Sequence, residues 1–349
     1  MNPLHGSSLR RTSAWLLGLA SLLLMLLLNT GVGPVRIPWN TIHAVLAAHL
    51  GNRPLDPAIP ASFETIVLDI RLPNAVLIAL TGMALGGSGA AYQGVFRNPL
   101  ADPYLIGVAS GAGLGAVAAM SVQWPDSLAG MRIIPLAAFT GAMVTVALVY
   151  TLARVGRTAP ITTLILAGVA VSSFASALTS LIMLASTDQL LRAVAWLLGG
   201  FTLGGWEPVL AELPYLAAGM LVLILVSRPM NVLQFGDVQA AQLGIHVERY
   251  KIVILIAASL VTATAVSFAG VIGFIGLMVP HGVRLLFGGD YRRLIPLATL
   301  FGGAALLAAD LLARILIAPQ VLPVGIVTAI AGAPFFLLLL RRAKQERWW

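Results

Sequence analysis

What most constrains this chain is a recurrence of long apolar runs, divided by short charged or proline-marked breaks. A helix of about 20 apolar residues covers the hydrocarbon thickness of a bilayer. Within that thickness only helices and closed barrels satisfy their own backbone polar groups. A barrel would alternate apolar and polar residues over strands of roughly ten residues, a pattern absent here. The expected class is an all-α integral membrane protein, a single transmembrane domain over residues 1–349 with about ten transmembrane helices. Composition agrees, since 59% of the residues are apolar and only 10% are charged. The 35 glycines predict helices packed closely through small residues. With no cysteine, disulfides and thiolate metal ligands are excluded. The net charge of +8 does not indicate a nucleic-acid partner, because the basic residues sit at the ends of apolar runs, where they mark a lipid bilayer.

In chain order, a retained first span runs from Ala14 to Leu28 behind Arg10 and Arg11, with no signal-peptide cleavage site after it. Residues 33–65, rich in proline (Pro34, Pro38, Pro54, Pro57, Pro60), form a loop with one short helix around Ile42 to Leu50. Arg71-Leu-Pro-Asn74 opens span two, which reaches about Gly94. Asp102-Pro103 then starts span three (Tyr104 to Val122), as a capping carboxylate followed by proline at the first helical position. Spans four (Ile133–Ala153), five (Ile161–Ala185) and six (Val209–Ser227) follow, with an interfacial or re-entrant segment at Leu190–Trp206 anchored by Trp196 and Trp206. Spans seven (Ile252–Gly270), eight (Ile272–Phe287), nine (Leu294–Leu316) and ten (Leu322–Leu340) complete the chain. The segments opening at Arg71 and Arg249 echo each other in opposite directions, as inverted repeats do.

Ten spans place both termini on one side. With the N-terminus cytoplasmic, fifteen of the 21 Lys and Arg residues fall inside. Outside remain only Arg36, Arg53, Arg71, Arg132, Arg192 and Arg314, so the positive-inside bias supports that orientation. It puts the polar stretch Met230–Lys251 in the cytosol. There Asp237 sits where an N-cap is expected and Gly244 where a helix would end left-handed. Val238, Ala241 and Leu243 would form an apolar face between them, and a second short helix is expected over Ile245–Lys251. A loop that merely joined two spans would not need two helices.

These residues add up to a resemblance. Arg71-Leu-Pro, the run from Gln93 through Phe96-Arg-Asn-Pro-Leu-Ala-Asp-Pro103 to Gly115, Gly273-Phe-Ile-Gly-Leu-Met-Val-Pro-His-Gly-Val-Arg284 and Leu322–Phe335 are similar to the permease subunits of type II ABC importers for iron-siderophores, haem and cobalamin. The resemblance covers the chain from about Arg71 onward. It implies a homodimer of this chain in the bacterial inner membrane, two cytoplasmic ATPase subunits and a periplasmic substrate-binding protein. It makes residues 230–251 the coupling loop that seats in the ATPase, through Gly236, Asp237, Ala240, Ala241, Leu243, Gly244 and Val247. It implies docking of the binding protein at Arg71 and Arg314. Many relatives carry a second arginine where this chain has Asn74, so charge complementarity is weaker here. Arg314 also stands four residues after Asp310, a spacing that suits a helix ion pair. Small-residue stripes on spans five and ten usually mean packing, but the resemblance makes Ser172, Ser176 and Thr328 pathway-lining. His281, beside Pro280, reads as satisfied by a freed carbonyl rather than as a haem ligand.

Nothing in the sequence is catalytic. There is no glycine-rich loop ending in Lys-Ser or Lys-Thr, so no cofactor is expected on this chain and ATP-Mg belongs to the partner ATPase. The expected function is import of an iron chelate, haem or ferric siderophore, with cobalamin as the alternative. An ion-coupled secondary transporter would need ionisable groups in mid-span, and the sequence shows essentially none.

Overall fold

The computed structural model describes residues 3–33, 35–122, 127–128, 131–156, 158–186, 189–200 and 204–345. Pro34 and residues 201–203, which entered the expectations above, lie outside them, as do Arg157 and Arg347, two of the fifteen basic residues expected inside. The helices in order are α1 (Pro3–Gly31), α2 (Trp39–Leu50), α3 (Ala61–Thr65), α4 (Leu72–Val95), α5 (Val108–Ser121), α6 (Ile133–Ala153), α7 (Ile161–Ala185) and α8 (Leu190–Leu197). Then come α9 (Glu207–Leu225), α10 (Ser227–Leu233), α11 (Asp237–Gln242), α12 (Val247–Ala269), α13 (Ile275–Phe287), α14 (Tyr291–Ile315) and α15 (Val324–Gln345). A two-residue antiparallel pair, β1 (Ser127–Leu128) and β2 (Met131–Arg132), precedes α6.

Among the described residues, seven helical stretches are long and apolar enough to cross a bilayer, and α5, α13 and Val324–Leu339 of α15 are shorter apolar helices at the positions of spans three, eight and ten. Spans four and five have the expected limits. Span three is divided: Asp102 accepts from the Tyr104 N–H at 2.8 Å and caps a 3₁₀ turn, Pro103–Ile106, with α5 following after Gly107. The cap expected at Asp102-Pro103 is therefore present.

Span two departs from expectation. Its helix begins at Ala61, ten residues before Arg71, and passes through a π-helical segment, Ile66–Arg71, into α4. Pro73 explains the change of pitch. It offers no N–H, and in α-helical register its ring would crowd the carbonyl four residues earlier. One wide turn, with the Leu72 N–H reaching back to the Val67 carbonyl, carries the chain past that point.

Helices α4 and α12 form the buried centre, and glycine sets how closely their neighbours approach. A Cβ on Gly86 would stand 2.2 Å from the Ala298 carbonyl oxygen, and one on Gly302 2.3 Å from that of Gly82. Helices α4 and α14 thus touch backbone to backbone, the contact that small residues permit in membranes. Two polar links join α4 to α12: Tyr92 and Ser259 hydroxyls share a hydrogen bond of 2.7 Å, and Thr262 donates to Ser88 at 2.9 Å. Trp196 does not anchor an interface. It is 2% exposed, packed inside against the turn at Gly270. Trp206 is partly exposed and donates its indole N–H to the Leu68 carbonyl at 3.0 Å.

Candidate functional site: the 227–251 segment and the arginines of α4 and α14

The polar stretch folds as two short helices, but not the two expected. They are α10 and α11, while residues 247–251 are the first turn of the long α12. Helix α11 is closed by hydrogen bonds from the Ile245 N–H to the Ala240 carbonyl and from the Gly244 N–H to the Ala241 carbonyl, both 3.0 Å. This six-to-one and five-to-two pairing requires a left-handed residue at Gly244, whose φ is +81°. The expected helix stop is there.

Asp237 is not the cap. Gly236 occupies that position with φ +108°, and Asp237 is the first helical residue. Its carboxylate instead meets Lys251 Nζ at 2.6 Å and Arg97 at 3.4 Å. Lys251 is 5% exposed and also meets Glu248 at 3.3 Å, whose other oxygen accepts from the Ala159 N–H at 3.2 Å. Asn231 of α10 donates to Asp290 at 2.7 Å and accepts from the Tyr291 N–H at 2.9 Å. Arg292, bonded to the Asp290 carboxylate, holds that group below the usual carboxylate range. These contacts gather the turns before α5, α7, α12 and α14 into one braced end of the molecule. Sequence reasoning missed the brace. The only local signal was the Glu248–Lys251 spacing of three.

The braced helices present an apolar crest. Phe235, Val238 and Leu243 are 71%, 67% and 67% exposed, with Ala241 and Gly244 exposed beside them. Ala240 is fully buried and Val247 half-buried, so these two hold α11 down and do not form its outer face.

The expected docking arginines do not face outward. Arg71 is 5% exposed, and its guanidinium donates to the carbonyls of Thr30 (3.3 Å), Gly31 (3.0 Å) and Val35. Arg314 pairs with Asp310 at 2.6 Å and donates to the Asn29 carbonyl at 3.3 Å. Together they satisfy the free carbonyls at the end of α1, where positive charge also suits the helix dipole. Arg71 points inward because ten further helical residues precede it. Asn74 is half-buried.

Of the expected pathway residues, Ser176 is exposed on α7 and Ser172 half-buried near Gly107. Thr328 is 2% exposed and donates to the Gly325 carbonyl within its own helix at 3.1 Å, so it lines no surface of this chain. The His281 ring is influenced by the Pro99 carbonyl, although neither ring nitrogen has a partner of good geometry among the described residues, and the ring lies edge-on to Phe335 at 6.4 Å. Glu212 corrects the expectation of uncharged spans: it lies within α9, fully buried, with no partner for either carboxyl oxygen among the described residues.

Comparison with known proteins gives the class of this bundle. The chain belongs to the FecCD transport family, whose model matches residues 21–342. It is 46% identical over 305 residues to the cobalamin import system permease protein BtuC of Halobacterium salinarum, covering 87% of this chain and 80% of that protein. It is 39% identical over 285 residues to the hemin transport system permease protein HmuU of Yersinia pestis, covering 81% and 85%. An uncharacterized ABC transporter permease protein, YvrB of Bacillus subtilis, is 41% identical over 333 residues, covering 95% and 94%. A solved structure described as an inward-facing conformation of a metal-chelate type ABC transporter superposes with a TM-score of 0.78 at 28% identity, covering 95% of this chain and 99% of that one. The chain is thus a multi-pass ABC importer permease and not an enzyme.

Proposed function

We propose that this chain is the membrane-spanning half of an ATP-driven importer that carries a bulky metal chelate inward, with an iron chelate (haem or a ferric siderophore) as the cargo. Two copies form the translocation unit in the inner membrane, with both termini in the cytoplasm and the braced end facing two ATPase subunits that bind ATP-Mg. The observation that carries this reading is the apolar crest of Phe235, Val238 and Leu243, on and beside a short helix that the ion pairs of Asp237 fix at its start and backbone hydrogen bonds close at its end. An exposed apolar patch on a stiff support marks a protein–protein contact. Gly236, Asp237, Ala240, Gly244 and Val247 shape the crest, and Ala241 and Leu243 share in the contact itself.

A substrate-binding protein would meet the opposite end. There Arg71 and Arg314 serve docking indirectly, by holding α1 against α4 and α14, with Asn74 beside them. Ser172 and Ser176 on α7 face the partner copy and the pathway. Cobalamin is the second reading of the cargo, favoured by the 46% identity to the Halobacterium cobalamin permease. The deciding experiment is reconstitution of the chain with its ATPase in liposomes. Binding proteins loaded with haem, ferric siderophore or cobalamin are then compared for stimulated hydrolysis and uptake. Stimulation by one cargo names it, whereas uptake that follows a proton gradient without ATP would overturn the importer reading.

A further inference from the structure

On the flank of the bundle, α6, α9 and α12 leave a cleft of about 250 Å³. Its walls are apolar: Pro135, Leu136 and Phe139 of α6, Ala211 and Tyr215 of α9, and Phe268 of α12. Besides the Tyr215 phenol, two hydroxyls reach the cleft, Thr264 and Ser267, and each of these two is occupied within its own helix. Thr264 donates to the Leu260 carbonyl at 2.8 Å and Ser267 to the Thr264 carbonyl at 2.7 Å. Among the described residues the interior therefore offers a polar solute little beyond the Tyr215 hydroxyl.

The rim is different. Arg132 and Glu207 pair across it, with Arg132 Nε and Nη2 donating to the same oxygen, Glu207 Oε2, at 3.1 and 3.0 Å. The two side chains are 36% and 58% exposed, and Glu207 Oε1 and Arg132 Nη1 take no part in the pairing. Arg132 immediately precedes α6 and Glu207 begins α9, which sets the pair at the level where spans enter the headgroup layer. Phe139 and Tyr215 lie seven and eight residues farther along their helices, about 10–12 Å deeper at 1.5 Å per residue. Polarity in the cleft thus runs in the same direction as polarity in a bilayer leaflet: ion pair outermost, hydrocarbon within.

We propose that this cleft is a binding site for a zwitterionic phospholipid, its phosphate on Arg132, its ammonium on Glu207 and an acyl chain along Phe139 and Tyr215. A rim that carries one cation and one anion complements a headgroup that carries both. An anionic lipid would satisfy Arg132 but set its net charge against Glu207.

The test is native mass spectrometry of the detergent-purified full chain titrated with phosphatidylethanolamine or phosphatidylglycerol. The expected result is one phosphatidylethanolamine retained per chain, bound roughly tenfold more tightly than phosphatidylglycerol, equivalent to about 1.4 kcal/mol. Glu207→Gln should remove that preference. Ala211→Phe, which fills the cleft, should abolish retention of both lipids, while Leu210→Phe on the exposed neighbouring face leaves retention unchanged. Thermal unfolding of each variant separates a filled cleft from a misfolded chain. Equal retention of the two lipids by the parent chain, or unaltered retention in a folded Ala211→Phe variant, would overturn the proposal. A change of oligomeric state in the rim variants in place of a change in lipid retention would also overturn it and assign the cleft to a second copy.

Discussion

Lys251 decides how firmly α11 is held. Its ammonium is almost fully buried yet meets carboxylates on two sides, so removing it leaves Glu248 without its cation and Asp237 with Arg97 alone. Removing one partner of a fully buried pair costs about 3–5 kcal/mol. Asp237 is 42% exposed, so solvent offsets part of that, and Lys251→Met is expected to cost about 1–2 kcal/mol in thermal unfolding in detergent. Asp290 gives a pH signature. Its pKa is lowered from 3.8 in the folded chain, chiefly by the Arg292 hydrogen bond and further by Asn231. A lowered pKa means a contribution fully present above the unfolded value and lost as pH falls through the folded one. Asp290→Asn should therefore show a stability deficit that is constant above about pH 4 and shrinks as the medium is acidified below it. A deficit that grew on acidification would contradict the assignment. Asp237 shows where reading residues from sequence stops. Local rules saw a carboxylate before a helix and made it a cap, while its true partner lies fourteen residues on, beyond a tight turn. Arg71 escaped for the same reason: the carbonyls that claim it belong to α1, some forty residues earlier.

Among the elements, α11 separates two kinds of dependence. A Cβ at Gly244 would have no neighbour within 4 Å, so Gly244→Ala meets only the left-handed backbone penalty, about 1 kcal/mol. Val238→Glu and Leu243→Glu touch no packed neighbour and should leave unfolding within about 0.5 kcal/mol of the parent. They should nonetheless lower co-purification of the ATPase by roughly tenfold. Pull-down alongside thermal unfolding checks both, and a crest variant that keeps its ATPase would remove the coupling role from this surface. Helices α6 and α7 were legible to the residue because long apolar runs between charged ends define them alone. Helix α3 and the π segment were not, since a helix that starts among prolines gives no periodic signal until Pro73 has already disturbed its pitch.

At the scale of the molecule, the close approach of α4 and α14 governs whether the bundle forms. A methyl group at Gly302 would stand 2.3 Å from the Gly82 carbonyl oxygen, and backbone on both sides leaves nothing flexible to give way. Gly302→Ala should cost about 1–3 kcal/mol through overpacking, visible as a smaller monodisperse fraction after detergent extraction. Gly282, with open space around its position, is the control and should tolerate alanine far better. The all-helical membrane class and the order of spans could be read from hydropathy alone. Which side chains face in, face out or brace one another depended on contacts between segments hundreds of residues apart, such as Asn29 donating to the Leu307 carbonyl at 2.7 Å.

Helix α12 has no glycine or proline between Val247 and Ala269, unlike α9, α13, α14 and α15, each of which carries an internal proline. Its 23 residues make an uninterrupted helix about 34 Å long. At one end Lys251 locks it to α11. At the other, Gly270 turns the chain at φ +78°, so close beneath the Trp196 carbonyl that a Cβ there would stand 2.2 Å from its oxygen. Mechanically this is a push rod with a single pivot: a load applied to the crest at Val238 finds no joint in which to dissipate until it reaches the α8 turn on the far side of the bilayer.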